Sequence, residues 1–155
     1  MDEISASECM RIKGKDGPFW FLDEGEIEAL PCYFGHKEVA AGETVWEEGE
    51  VCDYLAFVLS GCVEAQKGVG LGSRRAVVGV YRERAMVGAA CMLDGGPRAA
   101  TIVATEATRL LTLSQAKLDA LIAENPEVSA RLLKGILAIV SLRLRKAFER
   151  LAEFF

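Results

Sequence analysis

Tyr54-Leu55-Ala56-Phe57-Val58-Leu59-Ser60-Gly61-Cys62-Val63-Glu64-Ala65 is the stretch on which the fold turns. A short apolar run, a Ser-Gly break and a second apolar run predict two strands joined by a tight turn. The same grammar continues on both sides. Upstream, runs at 39–40 and 44–46 are separated by Ala41-Gly42-Glu43 and closed by Glu48-Gly49-Glu50. Downstream, runs fall at 76–81, 100–105 and 109–113. Many short strands at close spacing predict an antiparallel sandwich or barrel. The segment Gly68-Val69-Gly70-Leu71-Gly72-Ser73 lacks the Lys-Ser/Thr end of a phosphate loop and reads as a flexible hairpin tip.

Helical signals flank this β region. Asp23 and Glu26 form a capping box, with Leu22 and Ile27 at the staple positions, so a short helix should run to about Pro31. Residues 1–17 are weakly patterned and close on a Gly-Pro turn. Ser114 is a good N-cap, with Leu118, Leu121 and Ile122 as one apolar stripe. Asn125-Pro126 punctuates, because proline suits the first helical position. In the last helix, Leu133, Leu137, Val140, Leu144, Ala147, Leu151 and Phe154 recur at alternating steps of four and three. That is a coiled-coil seam, and it predicts a homodimer. Leu132, Ile136 and Ile139 add a second stripe in the first half only, so that half should also pack on its own domain. Arg143, Arg145, Lys146, Glu149, Arg150 and Glu153 surround the seam beyond it.

Composition narrows the function. The chain has 155 residues, 51% hydrophobic and 26% charged, with a net charge of -5. This describes one folded domain, with little room for a separate output domain. The first 50 residues carry 13 acids against 4 bases, whereas the last 29 carry 3 acids against 6 bases. An acidic balance argues against a free-standing nucleic-acid binder. The N-terminus has no secretory pattern, and uncharged apolar stretches such as 85–93 and 135–142 fall far short of the ~20 residues that cross a bilayer. No membrane association and a cytoplasmic location are expected. The five cysteines are odd in number and include no C-x-x-C pair, which argues against a disulfide framework and against a zinc or other metal site. The single histidine, His36, reads as a surface imidazole near a buried Cys32 thiol. With no paired acids at a useful spacing, the chain should not be an enzyme.

One constellation carries chemistry: Val87-Gly88-Ala89-Ala90-Cys91-Met92-Leu93-Asp94-Gly95-Gly96-Pro97-Arg98-Ala99-Ala100-Thr101. Gly88 permits a sharp exit from a strand. Residues 89–93 can form one helical turn with unpaired leading amides. Asp94-Gly95-Gly96-Pro97 reverses the chain and returns Arg98 at the start of a strand. Amides facing a guanidinium make an anion site, and one charge-assisted contact there is worth roughly 1.5–3 kcal/mol.

This segment resembles the phosphate-binding cassette of the cyclic nucleotide-binding domain family, F-G-E-x-A-L-x-x-x-x-P-R-A-A/S-T. Gly88, Leu93, Pro97, Arg98, Ala99, Ala100 and Thr101 match or lie close. The stretch from Ala41 to Glu50 is similar to that family's P-A-G-E-x-I-x-x-E-G-D, and Tyr54 to Val63 to its Y-x-I-x-S-G-x-V hairpin. The resemblance implies a mainly β fold with α (α+β): a double-stranded β-helix, or jelly-roll β-roll, flanked by an N-terminal helix and a long C-terminal helix. It divides the chain into an extension at 1–19, a β-roll with flanking helices at 20–125, and a dimerisation helix at 126–155. It implies a non-catalytic sensor with no cofactor, whose ligand is cAMP, another cyclic nucleotide or another small anion. Gly88, Ala89, Ala90, Cys91, Arg98 and Ala99 would hold that ligand. Arg98 would clamp the phosphate, the amides of Cys91 and Ala99 would donate to it, and the last helix would cover the base and relay the signal to an unidentified output protein. The family's DNA-reading helices are not among the features seen, so no nucleic-acid partner is implied. One position departs: the family glutamate that binds the ribose 2′-hydroxyl is Ala89, which would weaken a cyclic mononucleotide by about one to two decades. The alternative is a ligand-independent dimerisation or docking module of the same fold.

Overall fold

The computed structural model describes residues 3–15 and 17–155. The helices are α1 (Ala6–Ile12), α2 (Glu24–Glu28), α3 (Ala89–Asp94), α4 (Gln115–Glu124) and α5 (Pro126–Ala152), with a 3-10 turn at Pro31–Tyr33. The strands are β1 (Gly35–Val39), β2 (Thr44–Trp46), β3 (Tyr54–Ser60), β4 (Val63–Gly68), β5 (Arg75–Tyr81), β6 (Met86–Val87), β7 (Thr101–Ala104) and β8 (Thr108–Ser114). They form two four-stranded antiparallel sheets, in the orders β1-β8-β3-β6 and β2-β7-β4-β5. This is the jelly-roll β-roll with flanking helices.

The β3 strand shows why its sequence does not alternate. Every residue from Leu55 to Leu59 is fully buried. Leu55, Phe57 and Leu59 join the core under the helices, while Ala56 and Val58 join the core between the sheets. A strand buried on both faces reads as a continuous apolar run. Phe19, Phe34 and Phe57 meet edge-on or tilted at 5.2–5.9 Å between ring centres and fill the helix-side core.

The helix termini follow their sequence signals. Asp23 and Glu26 complete the capping box of α2, and Leu22 and Ile27 are buried beneath it. Ser114 accepts from the Lys117 amide, and Asn125 caps α5 ahead of Pro126. Two elements were not expected. The weakly patterned N-terminus contains α1, with its own Ser5/Glu8 capping box and with Cys9 and Ile12 buried. A two-residue strand, β6, pairs with Ala56 and Phe57 of β3 and delivers the chain to Gly88.

The long helix has two different halves. In the first, Leu132 and Ile136 are fully buried, and a Cβ on Gly135 would collide with the Pro18 carbonyl. In the second, Leu144, Phe148, Leu151 and Phe154 are exposed. The expected seam is therefore divided. Leu133 and Val140 pack partly on their own core, whereas Leu137, Leu144, Ala147, Leu151 and Phe154 face solvent. Among the described residues, no helix is long and apolar enough to cross a membrane.

Candidate functional site

The strand β6 ends at Gly88, whose φ of +81° is a left-handed conformation that favours glycine. A Cβ there would lie 2.7 Å from Arg98 Nη1 and 2.8 Å from the Trp46 ring. Glycine is thus required twice, for the backbone and for the guanidinium packed on it. The short helix α3 follows and is closed by Gly95 at φ +76°, with Asp94 accepting from the Gly96 amide at 2.8 Å. The returning strand is held by the loop after β2. The Arg98 amide donates to the Glu50 carbonyl and the Gly49 amide to the Arg98 carbonyl, both at 2.9 Å. Trp46 Nε1 donates to the Ala100 carbonyl at 3.1 Å, and Thr101 Oγ1 accepts from the Glu48 amide at 3.0 Å. The two stretches singled out in the sequence are therefore one structural unit.

Arg98 is only 2% exposed. Its guanidinium carbon lies 3.6 Å from the centre of the Trp46 ring and 4.8 Å from that of Tyr54, two cation–π contacts. Nη1 donates to Cys91 Sγ at 3.5 Å, and Nη2 approaches Asp53 Oδ1 at 3.9 Å, where Asp53 is largely exposed. Nε is buried and has no hydrogen-bond partner among the described residues. Desolvation pushes the Arg98 pKa down, and the neighbouring Tyr54, Asp53 and Glu50 push it back. Guanidinium is never deprotonated at ordinary pH, so a buried and underpaired positive charge remains.

Beside it is a cavity of about 260 Å³. Gly88, Ala89, Ala90, Cys91 and Ala99 line it together with Trp46, Tyr81, Val140 and Arg143. Five of the six expected ligand residues thus share one cavity. Arg98 stands behind the wall rather than in it, separated by the Trp46 ring and Cys91 on which it rests. A larger cavity, lined by Cys32 and His36 among others, lies elsewhere. There His36 accepts from Arg109 Nε at 3.2 Å. Cys32 proves exposed, not buried, because it sits on the projecting turn at Pro31–Tyr33. No cluster of three or more metal-binding side chains occurs among the described residues.

Four side chains of the candidate site escaped the sequence. Trp46 and Tyr54 cage Arg98, but only sheet pairing brings them to it. Arg143 was grouped with the charges around the seam. It instead donates to the Met86 carbonyl, lies 4.6 Å over the Tyr81 ring and walls the cavity. Its signal was present, since 132, 136, 139 and 143 continue one stripe, and a long arginine stem can occupy an apolar face. Burial pushes its pKa down as well. The fourth is Cys52, which is disulfide-bonded to Cys91 across 39 residues. The expectation drawn from the cysteine count is corrected to this extent: one bridge exists, because the roll places the loop before β3 against α3.

A jelly roll enclosing an arginine-backed cassette defines a class of ligand-binding domain, and comparison with known proteins agrees. The sequence profile described as "Cyclic nucleotide-binding domain" matches residues 36–125. The chain belongs to the cyclic nucleotide-binding domain family. It is 28% identical over 153 residues to the "CRP-like cAMP-activated global transcriptional regulator" of Mycobacterium tuberculosis, covering 99% of this chain and 62% of the relative. The chain thus spans under two-thirds of that regulator's length. The crystal structure of a cyclic nucleotide-binding domain from Methylobacillus flagellatus superposes with a TM-score of 0.86 at 25% identity, covering 97% of this chain and 84% of the other. The Thermus thermophilus catabolite activator protein superposes with a TM-score of 0.78 at 27% identity, covering 88% and 62%.

Proposed function

We propose that this chain is a non-catalytic regulatory sensor that binds a cyclic nucleotide, or another small phosphate-bearing ligand, between the 88–101 cassette and α5. The observation that carries this reading is Arg98: a buried guanidinium with an unpartnered Nε, packed against the glycine that opens the cassette. Burying a charge without a matching partner is costly, and a ligand anion would supply that partner. The ligand's phosphate would approach Arg98 past Trp46, aided by the amides of Cys91 and Ala99. Its other end would meet Val140 and Arg143 on α5. Ligand then shifts the docking equilibrium of α5 by its differential affinity for the two arrangements. The exposed second half of α5 would pair with a second copy and pass the change to an output protein. The division at residues 20 and 126, a cytoplasmic location and the absence of a nucleic-acid partner belong to the same reading. The Mycobacterium tuberculosis relative, described as cAMP-activated, agrees with this ligand class.

Isothermal titration with cAMP, cGMP and cyclic dinucleotides tests the proposal. We expect at least one to bind, and Arg98→Ala to weaken it by about 10- to 100-fold. Binding that is indifferent to Arg98→Ala would remove the mechanism. A second reading also has an observation in its favour. The Trp46 ring covers the guanidinium at 3.6 Å, and Ala89 supplies no carboxylate for a ribose. Such a cage also suits a ligand-independent dimerisation module, which would bind none of the panel.

A further inference from the structure

Cys9, Cys32 and Cys62 are free, and burial pushes the Cys9 pKa up to about 12. The remaining two cysteines are paired. Cys52 and Cys91 are bonded, with Cα atoms 6.0 Å apart. Cys91 is one of the residues that line the candidate cavity. That sulfur accepts from the buried Arg98 Nη1 at 3.5 Å. Asp53, the neighbour of Cys52, is the carboxylate that approaches the other Arg98 terminus. The bridge therefore touches the guanidinium through Cys91, and the residue next to Cys52 approaches the same group.

We propose that Cys52 and Cys91 are a reversible redox pair within the ligand cavity, Cys91 the reactive thiol activated by Arg98 and Cys52 the thiol that resolves it. An adjacent guanidinium favours thiolate over thiol, and the thiolate is the nucleophile. With a hydroperoxide as oxidant, Cys91 sulfur attacks the distal oxygen and the O–O bond breaks. The departing alkoxide takes a proton and leaves as the alcohol, and Cys91 becomes a sulfenic acid. Cys52 sulfur then attacks the sulfenic sulfur. The S–S bond forms, the S–O bond breaks, and hydroxide leaves as water with the Cys52 proton. In sum, two thiols and one hydroperoxide give a disulfide, an alcohol and water, and a thiol reductant reverses the bridge by exchange. Redox state then alters the ligand site. In the reduced protein a Cys91 thiolate competes with a ligand anion for Arg98, and in the disulfide that competitor is gone. This consequence rests on the ligand-binding reading above, whereas the redox pair does not.

The full chain, reduced and then given one equivalent of hydrogen peroxide, is alkylated, digested without reductant and analysed by mass spectrometry. We expect a linked peptide containing Cys52 and Cys91 that dithiothreitol dissolves. Two separately alkylated cysteines would overturn the pair. In the reduced protein at pH 7, iodoacetamide should modify Cys91 about tenfold more slowly in Arg98→Gln, with the fast rate kept in Arg98→Lys. A rate the same in both variants and the wild type overturns activation by Arg98. Should Arg98→Gln fold poorly, Cys52→Ser decides instead: after peroxide, dimedone should label Cys91, and unlabelled Cys91 overturns the proposal. Calorimetry with cAMP and cGMP on oxidised and reduced protein should show about tenfold tighter binding when oxidised. Equal affinities overturn the coupling alone. Absence of binding in both states overturns the coupling for these two nucleotides together with their place in the ligand reading, while the alkylation results still decide the redox pair.

Discussion

The two halves of α5 are one continuous helix with opposite surroundings. The first half is anchored by Leu132 and Ile136 and pressed against Pro18 through Gly135. The second half presents an apolar row to solvent, with Leu144 53%, Phe148 61% and Leu151 55% exposed. Arg143 marks the boundary, the last side chain of the helix to reach into the cavity wall. The difference teaches that a helix can be a structural member over one stretch and a presented surface over the next, and that the change falls at the candidate ligand site.

The largest test of this contrast is Ile136→Ala. It removes a fully buried side chain and should cost about 2–5 kcal/mol in urea unfolding. A loss below about 1 kcal/mol would mean that the first half is not anchored as described. At the boundary, Arg143→Ala leaves the Met86 carbonyl without its donor and uncovers Tyr81, for an expected loss of about 1–3 kcal/mol. Because it also loosens α5 at the cavity, hydrogen exchange should speed up along 137–152 more than in β3. In the second half, Leu144→Ala should change the stability of the isolated chain by no more than about 0.5 kcal/mol. The same change should shift a dimer towards monomer in light scattering on dilution, and a monomeric wild type would break the seam reading. The smallest effect concerns acid and uses a well-anchored helix as the reference. The Ser5 backbone amide, and then Arg109, hold the Glu8 carboxyl below its ordinary value of 4.5, against the opposing effect of burial. A depressed folded value means that the stabilisation is present above that ordinary value and is lost as pH falls through the depressed one. Thermal melts should therefore decline below pH 4.5, less steeply in Glu8→Gln.

Most strands and the capped helices were legible because their determinants are neighbours in sequence. Asp23 caps α2 through the amide of Glu26, three positions on, and Ser60-Gly61 turns the chain between adjacent runs. The missing elements had weak local signals. The cap of α1 and its reciprocal glutamate are only three positions apart, yet the apolar face of that helix is too small to stand out. The strand β6 is two residues long and exists because β3 offers it an edge. At the site, Gly88, Arg98 and the small residues around them were readable from their spacing and from their resemblance to a family. The Trp46–Tyr54 cage, the bridge from Cys52 and the inward turn of Arg143 were not.

By itself, the sequence determined the order of most strands and helices, the sharp turn at Gly88 and the return of Arg98, since each depends on covalent geometry and hydrogen bonds within a few residues. Tertiary structure alone decided what surrounds Arg98. Trp46, Tyr54 and Cys91 come from β2, β3 and α3, and they meet because two sheets pack face to face, which no spacing along the chain encodes. That packing also decided that five of the expected ligand residues line a cavity while the charge they were expected to share lies behind its wall.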